Sequence, residues 1–270
     1  MMPEEYDLGL LGPDAEEALR GHLEALLPLR NPSCAPERNG VIAYADAALR
    51  AMGRRPRRDA HDNLHAPPTG GAVGGRRAVV AHTDSVFQEF GEDREPFEVS
   101  SDGVYRSRRF RRPLGGDDKC GVAVALTLAA RLPEVGCILT ADEEVGYVGA
   151  LSLEGPRHDL LVQCDRRGGG QMVHTMRLTQ DVEVRVLSPE AEAAARLLLP
   201  HRASVAGGGT DAGVLLARGL ARNAVNLAAG YVDPHTRGEF VVWADVVRAL
   251  HDAAVLLRFL PPDLPPALPR

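Results

Sequence analysis

Short apolar stretches separated by helical patterns limit this chain to an α/β architecture. Residues 78–81, 136–140 and 160–164 are brief apolar runs that predict buried strands. Residues 118–132 and 239–258 are interpreted as helices. Strands that alternate with helices form a largely parallel sheet covered on both faces. We therefore predict an α/β fold with a mixed, largely parallel sheet and helices on both faces.

The remaining patterns add elements to the same fold. Further helices are predicted over 14–29, 36–52, 189–199 and 214–220, and further strands over 171–187 and 224–227. A hairpin that turns near Asp102-Gly103 is predicted over 97–112. The chain has 270 residues, of which 44% are hydrophobic, so it can bury a large core. We predict a single domain over residues 1–259 and a proline-rich, disordered tail over 260–270.

Composition argues against two classes of partner. The formal net charge is −6, so the chain has no overall basic field that would attract nucleic acid. The sequence contains no run of 18 apolar residues, so no membrane span is predicted. The acidic N-terminal segment lacks a signal-peptide pattern. The four cysteines form no C-x-x-C pair and three of them lie in apolar runs, which is typical of reduced thiols. We expect a cytoplasmic protein.

Basic residues are almost all arginine. The clusters at 54–58 and 106–112 are interpreted as solvated faces rather than as a nucleic-acid surface. The single lysine, Lys119, adjoins Asp117 and Asp118. Because a compact ammonium and a broad guanidinium are not interchangeable at a crowded position, this lysine is a weak indication of a packed site.

Histidine and carboxylate side chains follow the predicted strands directly. In open α/β sheets, ligands bind beyond the carboxyl ends of the strands, so these side chains are expected in one crevice. A Gly115-Gly116 loop brings Asp117 to the start of a helix near the same edge. The candidates at the strand ends are His82, Asp84, Glu143, Glu144, Asp165 and His235.

A metal site resolves the charge conflict in such a crevice. Crowded carboxylates repel one another, and bound dications remove that repulsion. Histidine nitrogen together with carboxylate oxygen suits zinc, and two ions can share one bridging carboxylate. Taken singly, each residue has an ordinary explanation, such as a loop histidine, a solvated Glu143-Glu144 turn or a helix N-cap at Asp118. Their joint placement at strand ends favours the metal site.

The motifs resemble the co-catalytic zinc exopeptidases, a family that includes peptidase T, related carboxypeptidases and acyl-amino-acid deacetylases. The resemblance covers nearly the whole chain in order and implies the phosphorylase/hydrolase-like zinc exopeptidase fold. The matching stretches are Ala-His-Thr-Asp (81–84), Gly-Gly-Asp-Asp-Lys-Cys-Gly (115–121), Thr-Ala-Asp-Glu-Glu-Val-Gly-Tyr-Val-Gly-Ala (140–150), Cys-Asp (164–165), Gly-Gly-Thr-Asp-Ala (208–212) and Asn-Leu-Ala-Ala-Gly with His235 (226–235). Residues 31–63 also resemble the start of the family.

The resemblance implies a role for each matching residue. Asp117 would bridge two Zn²⁺ ions, His82 and Asp165 would complete one site, and Glu144 and His235 the other. Glu143 would be the general base. Asp84 would orient His82 from behind. The peptide bond between Asp117 and Asp118 is expected to be cis.

Three further residues are candidates for substrate binding. Arg166 or Arg167, directly after Asp165, can hold a substrate carboxylate in a bidentate grip; the alternative is pairing with local acids. Asp211 is expected to support a loop near the site or to cap the following helix.

One departure from peptidase T is clear. Relatives of that type insert a dimerisation domain between the Asp165-type ligand and the Gly-x-Asp-Ala motif, but here Asp165 and Asp211 are only 46 positions apart. We expect no separate lid domain, an architecture closer to the single-domain zinc aminopeptidases. Homo-oligomerisation stays open.

The expected activity is two-metal hydrolysis of amide bonds at one end of small peptides, aminopeptidase-like or carboxypeptidase-like. Mn²⁺ or Co²⁺ are alternatives to zinc because carboxylates accept them too. One rival is a deacetylase or amidase that acts on acylated amino acids at the same site. The other is a non-catalytic metal-binding homologue, which the complete ligand set and the presence of Glu143 disfavour.

Overall fold

A computed structural model of the chain describes residues 9–70, 76–86, 97–108 and 113–267. Parts of three predictions lie outside the described residues: the hairpin and arginine cluster beyond residue 108, and the last three residues of the tail. Within the described ranges, no helix combines the length and the apolar character needed to cross a membrane.

One mixed sheet organises the molecule. The strands, numbered along the described chain, are β1 (Arg57–Arg58), β2 (Leu64–Ala66), β3 (Arg77–His82), β4 (Phe97–Val99), β5 (Val104–Ser107), β6 (Gly136–Thr140), β7 (His158–Arg166), β8 (Gln171–Arg177), β9 (Glu183–Arg185), β10 (Ala203–Gly208), β11 (Ala221–Ala228), β12 (Tyr231–Val232) and β13 (Phe240–Val242). Nine of these form one sheet in the order β1-β2-β6-β3-β7-β11-β8-β10, with β9 beside β8. Its central strands β6, β3, β7 and β11 run parallel.

The register of the central strands aligns their carboxyl ends. His82 of β3 pairs with Thr140 of β6. Val80 of β3 and Asn226 of β11 both pair with Gln163 of β7. The residues that follow these strands therefore emerge at one edge of the sheet, as the sequence predicted.

Helices cover both faces of this sheet, which confirms the predicted fold class. They are α1 (Ala15–Leu26), α2 (Gly40–Ala51), α3 (Gly116–Arg131), α4 (Val148–Ser152), α5 (Pro189–Leu198), α6 (Asp211–Ala217) and α7 (Trp243–Phe259). Successive side chains of β3 point to opposite faces of the sheet. Val79 therefore packs in the larger hydrophobic core with α1, α3 and α7, and Val80 packs in a smaller core with α4 and α6.

A second, antiparallel sheet has the order β12-β13-β5-β4. The predicted hairpin turns at Gly103, whose φ is +78° and whose N–H donates to the carbonyl of Ser100. The chain pattern did not predict β12 or β13. Residues 240–242 belong to β13, so the closing helix begins at Trp243 rather than at residue 239 as predicted.

Two other local predictions are wrong. The helix predicted over 36–52 is interrupted at Asn39, whose side chain accepts hydrogen bonds from the N–H groups of Val41 and Ile42 and so caps α2. The tail is not disordered up to residue 267. The Ala267 N–H donates to the Arg222 carbonyl, and the side chain of Asn223 donates to the Pro265 carbonyl.

Arginine side chains, two buried and one exposed, close the carboxyl ends of three helices. The Arg54 guanidinium, 3% exposed, donates to the carbonyls of Ala129 and Leu132 at the end of α3. Arg77 does the same at the end of α7, and Arg218 at the end of α4. These cations satisfy orphan carbonyls and complement the negative helix end. The interpretation of cluster 54–58 as a solvated face is therefore wrong for Arg54.

A pair of histidines, one buried and one half-buried, lies at the opposite edge of the sheet from the candidate ligands. The ring of His158 at the start of β7 meets His65 of β2 edge-on, with centroids 6.4 Å apart. His158 is buried, and its Nδ1 has no hydrogen-bond partner among the described residues. Burial lowers the pKa of His158 to about 4; His65 and Arg76 add to this effect and Asp159 opposes it.

His158 is expected to weaken the fold at mildly acidic pH. Its folded-state pKa lies below the ordinary 6.5, so the unfolded chain binds the proton more readily. The stability associated with neutral His158 is complete above pH 6.5 and is lost as the pH falls from 6.5 to 4, by up to about 3 kcal/mol. We expect His158→Gln to flatten the unfolding free energy over this range in urea titrations. The exposed His61→Gln is the control, and an unchanged slope in His158→Gln contradicts the prediction.

Candidate metal centre

Asp117 stands between two groups of side chains at the carboxyl edge of the sheet. On one side, His82 Nε2 lies 3.0 Å from Asp117 Oδ1 and 3.6 Å from Asp165 Oδ1. On the other side, His235 Nε2 lies 3.2 Å from Asp117 Oδ2 and 2.7 Å from Glu144 Oε1. The structure thus brings all five predicted ligands together, with one oxygen of Asp117 facing each group.

Two neighbouring carboxylates enter the same clusters. Glu143 and Glu144 each offer an oxygen within 4.8 Å of each other and of a His82 ring nitrogen. Asp118, His82 and Asp165 likewise each offer one ligand atom, and these atoms lie within 4.8 Å of one another. Asp118 also accepts a hydrogen bond from the N–H of Gly121, 3.0 Å away, so it has the helix-capping contact expected of it.

The loop that carries Asp117 is held from two sides. Gly115 adopts a φ of +69°, and a Cβ added there would lie 2.9 Å from Lys119 Nζ. Glu239, just before β13, accepts hydrogen bonds from the N–H groups of Gly115 at 2.6 Å and Asp117 at 3.1 Å. The Asp117–Asp118 peptide bond is cis, as expected. Sequence reasoning missed Glu239, because it placed this residue in a helix.

Lys119 is buried beneath this loop. Its ammonium donates to the carbonyls of Leu27 at 3.0 Å and Leu114 at 3.4 Å. Burial lowers the pKa of Lys119 to about 8, with Glu239 opposing that shift, and burial raises the pKa of Glu239 to about 7. The weak indication that the single lysine marks a crowded position is therefore confirmed.

Asp84 lies behind His82, where the resemblance implied it. Its carboxylate is 3.4 Å from His82 Nδ1 and accepts hydrogen bonds from the Ser33 hydroxyl and the Glu143 N–H. A further bond from the Glu144 N–H ties the turn after β6 to the same carboxylate. Asp84 therefore fixes both an imidazole and the two glutamates opposite it.

Asp165 has a set of supporting groups that the sequence did not reveal. The Tyr231 hydroxyl donates to Asp165 Oδ1 at 2.9 Å, and the Thr210 hydroxyl and the Gln163 amide donate to Oδ2. The side chain of Asn226 bonds both the N–H and the carbonyl of Asp165. Thr210 and Asn226 lie within the matching motifs, so the motifs contained a signal for them, although no role followed from it.

Burial dominates the electrostatics of the carboxylates. Burial raises the pKa of Glu143, Glu144 and Asp165; His82 and His235 oppose this shift, and neighbouring carboxylates add to it. Burial by itself would lower the pKa of His82, but Asp165, Asp117 and Asp84 raise it well above the ordinary value. Hydrogen bonds to Asp117 and Glu144 raise the pKa of His235 to about 10. The pocket strongly favours positive charge.

The three predicted substrate contacts differ in exposure. Arg167 is exposed, whereas Arg166 is half-buried and its Nε donates to Gln171 at 2.6 Å. Asp211 is the first residue of α6, is fully buried and accepts a hydrogen bond from the Thr140 hydroxyl. Burial raises the pKa of Asp211 to about 7.

Solved structures with a similar fold include aminopeptidases and a tripeptidase. The aminopeptidase PepT of Bacillus cereus matches with a TM-score of 0.72 at 16% identity, over 90% of this chain and 98% of that chain. A tripeptidase of Staphylococcus aureus matches with a TM-score of 0.72 at 15% identity, over 91% and 98%. The TET1 peptidase of Pyrococcus horikoshii, which can assemble into a tetrahedron or a large octahedral shell, matches with a TM-score of 0.63 at 15% identity, over 91% and 100%. No protein-family model and no curated protein sequence matches the chain.

The chain therefore has the fold of these peptidases, as its motifs implied. Residues 166–209 do not form an inserted domain. Instead β8, β9 and β10 extend the main sheet, and α5 packs on it. The expectation that a separate lid is missing is confirmed.

The donor set fits divalent cations. Each group around Asp117 combines an imidazole nitrogen with carboxylate oxygens within 4.8 Å, and these are the atoms that zinc and related ions bind. The carboxylates are buried next to one another, so a cation would relieve their repulsion.

Glu239 is expected to position Asp117. Glu239→Gln keeps the size of the side chain but loses one of the two accepting oxygens that hold Gly115 and Asp117. Because partners that orient ligands typically contribute about 10–100-fold to metal affinity, we expect Zn²⁺ to bind about tenfold more weakly or worse. Competition with a chromophoric chelator measures this. The exposed Glu98→Gln is the matched control, and equal affinity in both variants contradicts the prediction.

Proposed function

We propose that this chain is a two-metal exopeptidase that cleaves the amide bond at one end of small peptides. The observation that supports this most directly is the Asp117 carboxylate, whose two oxygens face two separate histidine-containing groups. The similar fold of aminopeptidases and a tripeptidase favours peptides over acylated amino acids as substrates, and favours the amino end.

The proposed cofactor is a pair of Zn²⁺ ions, with Mn²⁺ or Co²⁺ as alternatives. His82 and Asp165 would hold one cation, Glu144 and His235 the other, and Asp117 would contact both. When bound, the pair supplies polarisation of the scissile carbonyl and lowers the pKa of water at the site.

The general base in this proposal is Glu143. Burial raises the pKa of Glu143 above its usual range, and this is the direction that suits a general base at neutral pH. Glu143 takes a proton from the attacking water and later gives it to the leaving amine. Asp84 keeps the His82 ring in position through its contact at Nδ1.

Arg166 is the proposed contact for a substrate carboxylate, because its guanidinium is half-buried and held by Gln171 whereas Arg167 is exposed. Its Nη1 lies close to Gly207, where an added Cβ would be 2.8 Å from it. Asp211 supports the end of β6 through Thr140 rather than facing substrate. Hydrolysis of tripeptides, C-terminally amidated tripeptides and acetylated amino acids, compared at equal concentration, separates peptidase from deacetylase activity.

The proposal also includes a cellular compartment and an oligomeric state. One catalytic domain over residues 1–259 acts in the cytoplasm, where the four thiols, all free in the structure, stay reduced. A homo-oligomer is proposed by analogy with the assembly of the P. horikoshii peptidase.

Substitutions of Glu143 and of Glu144 are expected to impair the enzyme in different ways. Glu144→Ala removes a ligand, so metal content and turnover both fall. Glu143→Gln removes only the base, so both metals stay bound while kcat falls by at least about 10²-fold. Metal stoichiometry by mass spectrometry and kcat on a cleaved tripeptide measure the two effects.

The control for this pair is Glu154→Gln, an exposed glutamate outside the cluster, which should match the wild type. Near-normal turnover in Glu143→Gln, or metal loss equal to that of Glu144→Ala, would show that the assigned roles are wrong. An inactive wild type on every peptide tested would reject the peptidase proposal itself.

A further inference from the structure

The hydroxyl of Tyr147 lies beside the metal centre without a role in the chemistry described so far. Tyr147 follows Glu143 and Glu144 in the same turn and is half-buried. A Cβ added to Gly209 would lie 2.7 Å from the Tyr147 oxygen, so the hydroxyl packs directly over this glycine. The next residue, Thr210, donates to Asp165. The phenol therefore reaches from the Glu143 turn to the Asp165 side of the crevice.

The charges around this hydroxyl belong to the centre. Burial raises the pKa of Tyr147 to about 12, and the carboxylates of Glu143, Asp211, Asp165 and Glu144 add to the effect. Because the ordinary pKa of a phenol is about 10, the Tyr147 hydroxyl keeps its proton at neutral pH. It is available as a donor to a developing negative charge.

That donor is not used within the described part of the chain, where the Tyr147 hydroxyl makes no hydrogen bond to another residue. Nearby hydroxyls are occupied: Thr140 donates to Asp211, and Thr210 and Tyr231 donate to Asp165. Tyr147 thus differs from its neighbours in presenting an unused O–H next to the proposed base.

The backbone fixes the direction of this side chain. Tyr147 has a φ of +61°, a left-handed conformation that is uncommon for a bulky residue. Its N–H donates to the Glu143 carbonyl at 2.8 Å, and the Val148 N–H donates to the Asp142 carbonyl at 3.0 Å. The turn that carries Glu143 therefore also sets the backbone position from which the phenol projects.

We propose that Tyr147 is a further catalytic residue, whose O–H donates a hydrogen bond to the scissile carbonyl oxygen as that oxygen becomes an oxyanion. This inference rests on the proposed peptidase function. Water oxygen bonds to the carbonyl carbon, the carbonyl π electrons move to its oxygen, and Glu143 takes the water proton. On collapse the C–N bond breaks and Glu143 returns the proton to the amine nitrogen. Tyr147 keeps its own proton throughout.

The test compares Tyr147→Phe with Tyr44→Phe in the metal-loaded enzyme. Both variants lose one hydroxyl and keep the ring; Tyr44 is also half-buried, and its hydroxyl lies 2.8 Å from His22 Nδ1, outside the centre. Loss of one oxyanion donor typically costs about 10²–10³-fold in kcat. We expect Tyr147→Phe to show such a loss with KM and metal content unchanged, and Tyr44→Phe to match the wild type.

A second measurement separates stabilisation of the oxyanion from a structural effect. A tetrahedral phosphinate analogue of the cleaved peptide should bind Tyr147→Phe more weakly by about the same factor as kcat/KM falls, while the product amino acid binds equally to both forms. A kcat within twofold of the wild type, or a change confined to KM, overturns the role of Tyr147 and leaves the peptidase proposal intact. An inactive wild type rejects the peptidase proposal, and the role of Tyr147 with it.

Discussion

The repulsion between buried carboxylates at one edge of the sheet is the constraint to which the surrounding structure responds. Four aspartates and two glutamates lie within reach of His82, and burial alone raises the pKa of Glu143, Glu144 and Asp165. Two imidazoles supply only part of the opposing charge. Around them stand neutral donors, such as the hydroxyls of Thr210 and Tyr231, which hold the carboxylates without filling the centre.

The elements that hold the candidate ligands come from distant parts of the sequence. Glu239, next to the second sheet, accepts hydrogen bonds from the loop of Asp117. The side chain of Asn226 on β11 forms hydrogen bonds with the backbone of Asp165 on β7. Asp84 links the end of β3 to the turn after β6. The geometry of the candidate ligands therefore depends on how the two sheets pack together. A substitution far along the chain that disturbs this packing would change the positions of these side chains.

The strand ends and the clustering of the side chains that follow them could be predicted because periodicity and side-chain type are local properties of the chain. The parallel order then follows from general rules of α/β folds, and the motif resemblance supplied Asp117 as the residue shared by both groups. The interruption at Asn39 was missed because a capping side chain competes with helix continuation only once the neighbouring loop is in place. Glu239, Tyr231 and Tyr147 were missed as site residues because their importance lies in contacts across the fold. Arg54 looked like part of a solvated cluster, yet it closes α3, a contact visible only after α2 and α3 pack.

Lys119 is the single lysine of the sequence, and in the folded protein it is 1% exposed. Reagents that acylate amines therefore meet no lysine on the native surface, and neither do enzymes that attach groups to lysine. Acylation of Lys119 requires the Gly115 loop above it to open, because the ammonium lies within 3.0 Å of the Leu27 carbonyl beneath. The labelling rate of this one amine would consequently report how often the backbone around Asp117 unfolds locally, without any engineered probe.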